Sequence, residues 1–529
     1  MMIEKIRDKK NKYAPNLCSQ RSSYQQRKLI IYLIFTLFSL LLMLFCTKSS
    51  PLFAFNDWFD ANVYFTMGKG MMNGRVPYVD LIDNKGPLLY FIYGISWLID
   101  HTGFTGVYLF QTFFLTVSLI YVYRLALIFI SNEHTAVLIA LCSPLPMLIQ
   151  KFYADNYDFG GGGPDEFCRA LMIVSLYYFT LYYERSDEYK LKHTVFQGVL
   201  FMCVFLIKFN LTVFWLGFLL VIACELLYQK KFLFLLKHIG GFLNGAIFVA
   251  IPYIIYGLWT NSLDEFVNTY FLYNWTYVNS SNHVFLKVVE SIFSAIGTIG
   301  GMPGFTIFFS IGIVFVFFVC RPGYRIGYTI SLFLLFVAIY YTTVRFAAIH
   351  ISFTIALIFG MIATGKFLER YISKCRFPLL LDIAGTLLIF TVSVILNGLI
   401  SYDLFLSDKP TAQQQIADVI WERNENGNPT LLEIGGLDSG FYTASGILPD
   451  EPYFFVYNIS EETYPYPYDA QKKAVKEGHT EFVISRMKGF TEDHNPYDIL
   501  QKYDEICVIQ GTGYQSYLFY HLYQIKEDH

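Results

Sequence analysis

Charge is scarce in this chain, and neither sign dominates. Only 15% of the 529 residues are Asp, Glu, Lys or Arg, the formal net charge is −3, and 54% of the residues are hydrophobic. Such a composition suits a lipid bilayer and excludes an ordinary water-soluble domain. A net charge this close to zero gives little attraction for phosphate backbones, so we expect no nucleic acid partner. The composition indicates a polytopic membrane protein.

A cysteine framework and a cleavage signal are also missing. Nine cysteines are present, but five of them lie in apolar runs and the hydrophilic C-terminal region holds only Cys507. Neither a disulfide scaffold nor a CxxC metal site is predicted. The first apolar segment, 29–46, follows a basic leader, yet no small-residue cleavage site comes after it. We therefore expect this segment to be a retained anchor.

Long apolar runs, by contrast, are abundant. A window of about twenty residues predicts about eleven membrane spans, which lie near 29–46, 104–130, 135–151, 167–183, 194–209, 211–227, 239–257, 303–320, 326–341, 347–364 and 378–400. Two further stretches, 87–99 and 288–300, are short or interrupted by glycine. We expect them to lie along the membrane interface.

Basic residues predict the orientation of the spans. Lys and Arg are frequent in the leader and in the short loops near 185–192, 230–237, 321–325 and 366–376. The positive-inside rule places all of these in the cytoplasm if 87–99 does not cross the membrane. The first loop (47–103), the loop 152–166 and the C-terminal region then share the external face. We therefore expect a multi-pass cell-membrane protein with a cytoplasmic N-terminus and an extracytoplasmic site built from these loops.

The composition becomes that of a soluble domain from about residue 404 onward. TAQQQIADVIWERN predicts a capped helix ended by Gly427, and LLEIG, EFVISRM, EICVIQ and SYLFYHLYQI predict strands. The chain thus divides into a basic leader (1–28), a membrane region (29–403) and a small extracytoplasmic α/β domain (404–529). The motif YPYPY at 464–468 is typical of an extended proline-rich connector. A sugar-stacking surface is the alternative interpretation.

The first external loop concentrates charge on a chain that has little. WFDANVYFTMGKGMM predicts a short amphipathic helix that ends at Asn73 and Gly74, with Asp60 in its first turn. In the simplest interpretation, Asp57 and Asp60 form a capping pair. Alternatively, the carboxylate of Asp60 and the ammonium of Lys85 meet a nucleophile and a lipid phosphate at the membrane surface. For Lys85, snorkelling to the headgroups is the competing explanation.

The first loop resembles that of the GT-C glycosyltransferases of the protein O-mannosyltransferase and aminoarabinose transferase type. The resemblance is carried by Asp60 to Tyr64, Gly74, Pro77, Tyr78, Asp80 and the run Lys85, Gly86, Pro87, Leu88. It implies an all-α polytopic membrane protein of GT-C type, with interfacial helices and the small C-terminal α/β domain. It also implies that Asp60 is the catalytic base, that Lys85 contacts the donor phosphate and that Tyr64 binds substrate. Asn84 stands where the aminoarabinose branch has an acidic residue, so a divalent metal is unsupported and no cofactor is firmly implied.

Two later segments extend the resemblance. YADNYDFGGGGPDEFCRAL is similar to the family's second external loop and offers Asp165, Glu166 and Asp155 as substrate-binding residues. The four glycines allow close approach of the backbone to a ligand, although a flexible connector explains them too, and Glu166 is also a favourable charge at a helix N-terminus. VRFAAIHISF places Arg345 as a second phosphate contact and His350 as a substrate contact, at a depth where ionisable residues are functional by default.

The function implied is transfer of a hexosyl or pentosyl group from a polyprenyl-phosphate donor to an extracytoplasmic hydroxyl, with inversion. The acceptor is a cell-wall polysaccharide, a lipid or a protein, and the C-terminal domain is a candidate for recognising it. Lys208 is a further candidate for the phosphate, or else it snorkels outward. The alternatives are a polytopic transporter or lipid-linked saccharide flippase and a polysaccharide polymerase or ligase. No inverted repeat is visible, and the charges gather in external loops, which disfavours a transporter.

Overall fold

The computed structural model describes residues 25–145, 161–279, 284–301, 303–342, 349–374, 378–398, 409–488 and 496–526. In the membrane region the helices are α1 (Gln25–Cys46), α2 (Phe59–Met72), α3 (Pro87–Ile99), α4 (Thr105–Phe129), α5 (Glu133–Cys142), α6 (Pro164–Glu184), α7 (Leu191–Lys208), α8 (Val213–Tyr228), α9 (Phe232–Trp259), α10 (Leu263–Val267), α11 (Asn274–Asn279), α12 (Val284–Gly301), α13 (Pro303–Val319), α14 (Pro322–Thr342), α15 (Ile349–Ile372) and α16 (Pro378–Gly398). A π-helical turn, Asn268–Tyr273, joins α10 to α11.

A helix lies at each of the eleven apolar segments predicted from the sequence. Among the described residues, five helical stretches are long and apolar enough to cross a membrane, and they are Gln25–Cys46, Thr105–Phe129, Leu191–Tyr228, Phe232–Trp259 and Pro322–Thr342. This supports a multi-pass membrane protein. The count of about eleven spans and the cytoplasmic N-terminus stay predictions.

The stretch Leu191–Tyr228 folds back on itself. A 3-10 turn, Phe209–Thr212, interrupts it, and Trp215 after the turn donates through Nε1 to Oε1 of Gln197 at 3.0 Å. A continuous helix would separate these two residues by about 27 Å, so the chain reverses at the turn. The two predicted segments, 194–209 and 211–227, are therefore separate helices, α7 and α8.

Helix α3 is short. Its 13 residues reach about 20 Å, less than the roughly 30 Å of a bilayer's hydrocarbon core. Proline opens the helix, where a missing N–H costs nothing, and Gly86 precedes it in extended conformation. These dimensions fit the interfacial position expected for 87–99.

The C-terminal region forms a small α/β domain, as predicted. Its elements are α17 (Ala412–Arg423), β1 (Leu431–Ile434), α18 (Phe441–Ser445), α19 (Tyr466–Glu477), β2 (Phe482–Lys488), β3 (Tyr503–Gln510) and β4 (Leu518–Ile525), with 3-10 turns at Pro496–Gln501 and Gly513–Gln515. The sheet order is β1-β2-β4-β3, with β1 parallel to β2 and the other pairs antiparallel. All four predicted strands are confirmed within a few residues.

Two expectations for this domain were wrong. Helix α17 ends at Arg423, well before Gly427, and Thr411 and Gln414 form the capping box at its start. YPYPY is no extended connector, because α19 begins at Tyr466 inside the motif. Tyr464 packs its ring 4.5 Å from that of Tyr273, so the motif lies against the π-helical turn of the membrane region.

Candidate active site

Helix α2 is buried on nearly every side. Phe59 and every residue from Ala61 to Gly70 are buried, so the predicted amphipathic character is wrong although the predicted helix ends are correct. One side packs on α3, where a Cβ on Gly68 would lie 2.5 Å from the backbone N of Gly94. Another side packs on the C-terminal domain, as the Thr66 hydroxyl donates to Asp438 at 2.7 Å. The helix that carries Asp60 is therefore held between two elements.

Asp60 lies in the first turn of α2, half-buried, where the helix dipole stabilises a carboxylate. Burial and then the charge of Asp60 raise the pKa of Tyr64 well above its usual value, and the same two causes raise the pKa of Tyr277. The Asp60 carboxylate therefore lies among tyrosines from α2 and α11.

The capping-pair interpretation is wrong. The N-cap residue of α2 is Trp58, and no side chain caps the helix there. Asp57 instead forms a buried ion pair with Lys48. Asp57 and Asp60 thus have different surroundings, and the Asp60 carboxylate is not a cap for α2.

Lys85 points toward the same tyrosine as Asp60. Its ammonium lies 5.9 Å from the ring centre of Tyr64 and donates to Oδ1 of Asn84 at 2.6 Å. The loop is fixed from both sides, because the hydroxyl of Tyr78 donates to the backbone O of Lys85 at 2.8 Å and the backbone N of Lys85 donates to the hydroxyl of Tyr90 at 2.9 Å. Lys85 is half-buried beside Asp60's helix, and outward snorkelling does not describe it.

Gly86 joins this loop to α7. Its backbone N donates to the carbonyl of Ile207 at 3.2 Å, which places Lys85 and Lys208 on adjacent segments. The Lys208 ammonium pairs with both carboxylate oxygens of Asp165, at 2.8 and 3.0 Å. Since the charge of Asp165 also contributes to the raised pKa of Tyr64, this ion pair belongs to the same site.

No side chain fits at position 86. A Cβ there would lie 2.0 Å from the carbonyl O of Leu206 and 2.4 Å from its carbonyl C. We expect Gly86→Ala to push the Lys85 loop off α7, lowering the free energy of unfolding by about 1 to 3 kcal/mol and weakening donor turnover. Thermal unfolding of purified protein measures the first effect. Gly240→Ala is the matched control, since a Cβ at Gly240 meets nothing within 4 Å; equal melting temperatures for the two variants would contradict this prediction.

Glu166 is buried on the other side of the site. Gln111 donates to its Oε2 at 2.5 Å, and the hydroxyl of Thr47 donates to Oε1 of Gln111 at 3.0 Å. Burial, then the charge of Glu166, then that of Asp60 raise the pKa of Tyr93 well above its usual value. The charges of Asp60 and Glu166, which lie on different helices, therefore both raise the pKa of Tyr93.

The described glycines of the second loop pack against the first. The hydroxyl of Tyr93 donates to the carbonyls of Gly161 and Gly162 at 3.0 and 2.9 Å. A Cβ on Gly161 would lie 1.9 Å from the ring of Trp58, and Gly162 has φ +79°. The close approach at Gly161 and the left-handed backbone at Gly162 thus require glycine. A merely flexible connector does not account for these two glycines.

Three predicted site residues lie outside what the structure describes: Asp155, Arg345 and the side chain of His350. The structure brings together Asp60, Lys85, Tyr64, Asp165 and Glu166. Among the described residues, no group of three or more His, Cys, Asp and Glu side chains is arranged to hold a metal ion. Metal dependence stays untested.

Sequence reasoning missed Asp83. It is 3% exposed, accepts a hydrogen bond from the hydroxyl of Tyr90 at 2.8 Å and contributes to the raised pKa of Tyr64. Its position two residues before Lys85 was the only signal in the sequence. Asp83 anchors the loop, and with Asp60 and Asp165 it makes the surroundings of Tyr64 strongly acidic, countered by Lys85 and Lys208.

Together these groups provide a carboxylate able to accept a proton and two ammonium groups able to stabilise an anion. They lie where the first loop, the start of α6 and the end of α7 meet, at the ends of apolar helices. An anionic lipid headgroup meets cations at this position more readily than a soluble substrate does.

Neither a protein-family model nor a curated protein matches this sequence. Several solved structures, however, match the fold of this chain. ArnT from Cupriavidus metallidurans bound to undecaprenyl phosphate matches with a TM-score of 0.56 and 10% identity over 93% of this chain and 97% of that chain. The same protein in the apo state matches with a TM-score of 0.53 and 12% identity over 94% and 98% of the two chains. At this identity the likeness concerns the fold, and it confirms the expectation drawn from the first loop: the chain has the GT-C glycosyltransferase fold.

Proposed function

We propose that this protein is a membrane glycosyltransferase that moves one sugar from a polyprenyl-phosphate donor to a hydroxyl of an extracytoplasmic acceptor, with inversion. Asp60 takes the proton from the acceptor hydroxyl as its oxygen attacks the anomeric carbon. The bond from that carbon to the phosphate oxygen breaks, and polyprenyl phosphate leaves. Because phosphate is a good leaving group, no general acid is required.

The observation that carries the proposal is the approach of Asp60 and Lys85 to one buried tyrosine, Tyr64, in a chain with the fold of a protein that binds undecaprenyl phosphate. Lys85 and Lys208 supply positive charge for the leaving phosphate. In this proposal Asp165 and Glu166 bind hydroxyls of the sugar or of the acceptor. Arg345 stays a candidate for the phosphate.

The direct test is release of polyprenyl phosphate. Purified protein in lipid nanodiscs is given a polyprenyl-phosphate-linked sugar and a hydroxyl acceptor, and free polyprenyl phosphate is measured over time. Release that depends on acceptor supports the transferase. Movement of intact lipid-linked sugar across the membrane with no release would instead support a flippase.

The lysines give a second prediction. Lys85→Gln and Lys208→Gln each remove one positive charge from the site that binds the phosphate. A hydrogen bond to a charged group is worth about 1.5 to 3 kcal/mol. We therefore expect KM for the donor to rise about 10- to 100-fold. Lys192→Gln, at the exposed opposite end of α7, is the control. An unchanged donor KM in Lys85→Gln would remove this residue from the phosphate site.

A further inference from the structure

The face of α2 that contacts the C-terminal domain carries one aromatic residue and three polar residues at regular spacing. Phe59, Asn62, Thr66 and Lys69 recur every three or four residues, so they share one side of the helix. The guanidinium of Arg486 lies 4.9 Å over the ring of Phe59. A Cβ on the C-terminal domain's Gly440 would lie 2.9 Å from Oδ1 of Asn62. The whole face is therefore covered by residues far away in the sequence.

Lys69 is a buried charge on this face. It is 1% exposed, and its ammonium donates to the backbone carbonyls of Tyr442 at 2.7 Å and Ile447 at 2.6 Å. Burial lowers the pKa of Lys69 to about 7, opposed by the charge of Asp438. An ammonium in such a place costs free energy unless it is hydrogen-bonded, and both of these carbonyls belong to the C-terminal domain.

Asp438 is the anion that the C-terminal domain contributes to this contact. Its Oδ2 accepts from the hydroxyl of Thr66 at 2.7 Å and its Oδ1 from the backbone N of Gly440 at 2.8 Å. Two further ionisable side chains of the C-terminal domain lie close to it, Glu433 in β1 and Arg486 in β2. Burial raises the pKa of both carboxyls, and Asp438 raises that of Glu433 further. The contact with α2 is thus a buried, hydrogen-bonded charge cluster.

Thr66 and Lys69, the two α2 residues of this cluster, lie on the same rigid helix as Asp60. Thr66 lies six residues after Asp60 on the same helix, a separation of about 9 Å along the axis. A shift of α2 at Thr66 and Lys69 therefore moves the Asp60 carboxylate directly. A displacement of about 1 Å is enough to reduce catalysis about 10²-fold.

We propose that Thr66, Lys69 and Asp438 are positioning residues that fix the orientation of Asp60, and that the C-terminal domain is thereby an essential part of the catalytic site. This inference rests on the proposed role of Asp60 as the base. It gives the domain a role separate from acceptor recognition. Deletion of residues 404–529 would expose the buried face of α2, so point variants are the better test.

Thr66 offers a matched pair of variants. Thr66→Val keeps the shape and removes only the hydroxyl, whereas Thr66→Ser keeps the donor to Asp438. We expect kcat to fall about 10-fold in Thr66→Val and about 10²-fold in Lys69→Met, with Thr66→Ser close to the wild type. KM for the donor should change little, because neither variant touches the lysines of the phosphate site. Arg75→Gln, which breaks an exposed pair with Asp450 across the same interface, is the control.

The outcomes separate this inference from the proposed function. Unchanged kcat in folded Thr66→Val and Lys69→Met would overturn the positioning role. Should the wild type release no polyprenyl phosphate, the proposed function fails. Hydrogen exchange of the amides of residues 59–72 then tests separately whether the contact with Asp438 fixes α2. Faster exchange in Thr66→Val than in Thr66→Ser supports the fixed helix, and equal exchange overturns it.

Discussion

Asp60→Asn is expected to lower the rate of polyprenyl phosphate release about 10²- to 10⁴-fold, the usual contribution of a general base. Asparagine has the same shape but accepts no proton at neutral pH. The acceptor hydroxyl would then attack without a base, while the lysines of the phosphate site stay in place. We therefore expect kcat to fall and KM for the donor to change little.

Asp264→Asn is the control for this experiment. Asp264 is an exposed carboxylate in the first turn of α10, so its replacement removes a similar charge at an exposed position. Equal melting temperatures for the two variants show that both fold. Wild-type turnover in Asp60→Asn would refute the assignment of Asp60 as the base and leave the GT-C fold unaffected.

Lys48→Met is expected to cause the largest loss of stability. Lys48 is 4% exposed and Asp57 is 7% exposed, and their side chains form an ion pair just before α2. Removing one partner of a buried pair leaves an uncompensated charge, which costs about 3 to 5 kcal/mol. Thermal unfolding of purified protein in detergent should show a much lower melting temperature.

Two comparisons test this explanation. The double variant Lys48→Met with Asp57→Asn should recover part of the lost stability, because no buried charge is left alone. Arg185→Gln breaks an exposed pair with Glu188 and should cost at most about 1 kcal/mol. A Lys48→Met variant no less stable than Arg185→Gln would show that the ion pair does not hold the start of α2.

Local patterns in the sequence predicted local structure well. Short runs of strand-forming residues located all four strands of the C-terminal domain, and Asn73 with Gly74 marked the end of α2 correctly. These signals succeed because propensity and turn chemistry act over a few residues. The resemblance of the first loop identified the fold, although it covers few positions.

Long-range contacts were beyond such reasoning. Helix α2 was expected to be amphipathic, yet its polar residues Thr66 and Lys69 are both buried against residues more than 370 positions away. The pairing of Lys208 with Asp165 and of Lys48 with Asp57 likewise depends on tertiary packing, and no spacing rule reports it. Tertiary burial, and not local preference, determines which charges of this site face inward.

The hydrogen bond between Thr66 and Asp438 also sets an order of events during biosynthesis, since its partners are 372 residues apart. At about 5 to 20 residues per second, a ribosome needs roughly 20 to 75 s to make that stretch. Helix α2, with the ammonium of Lys69 and the hydroxyl of Thr66, is therefore synthesised long before the residues that accept their hydrogen bonds. Under the proposed function, a nascent chain stays inactive until its C-terminal domain has folded against α2.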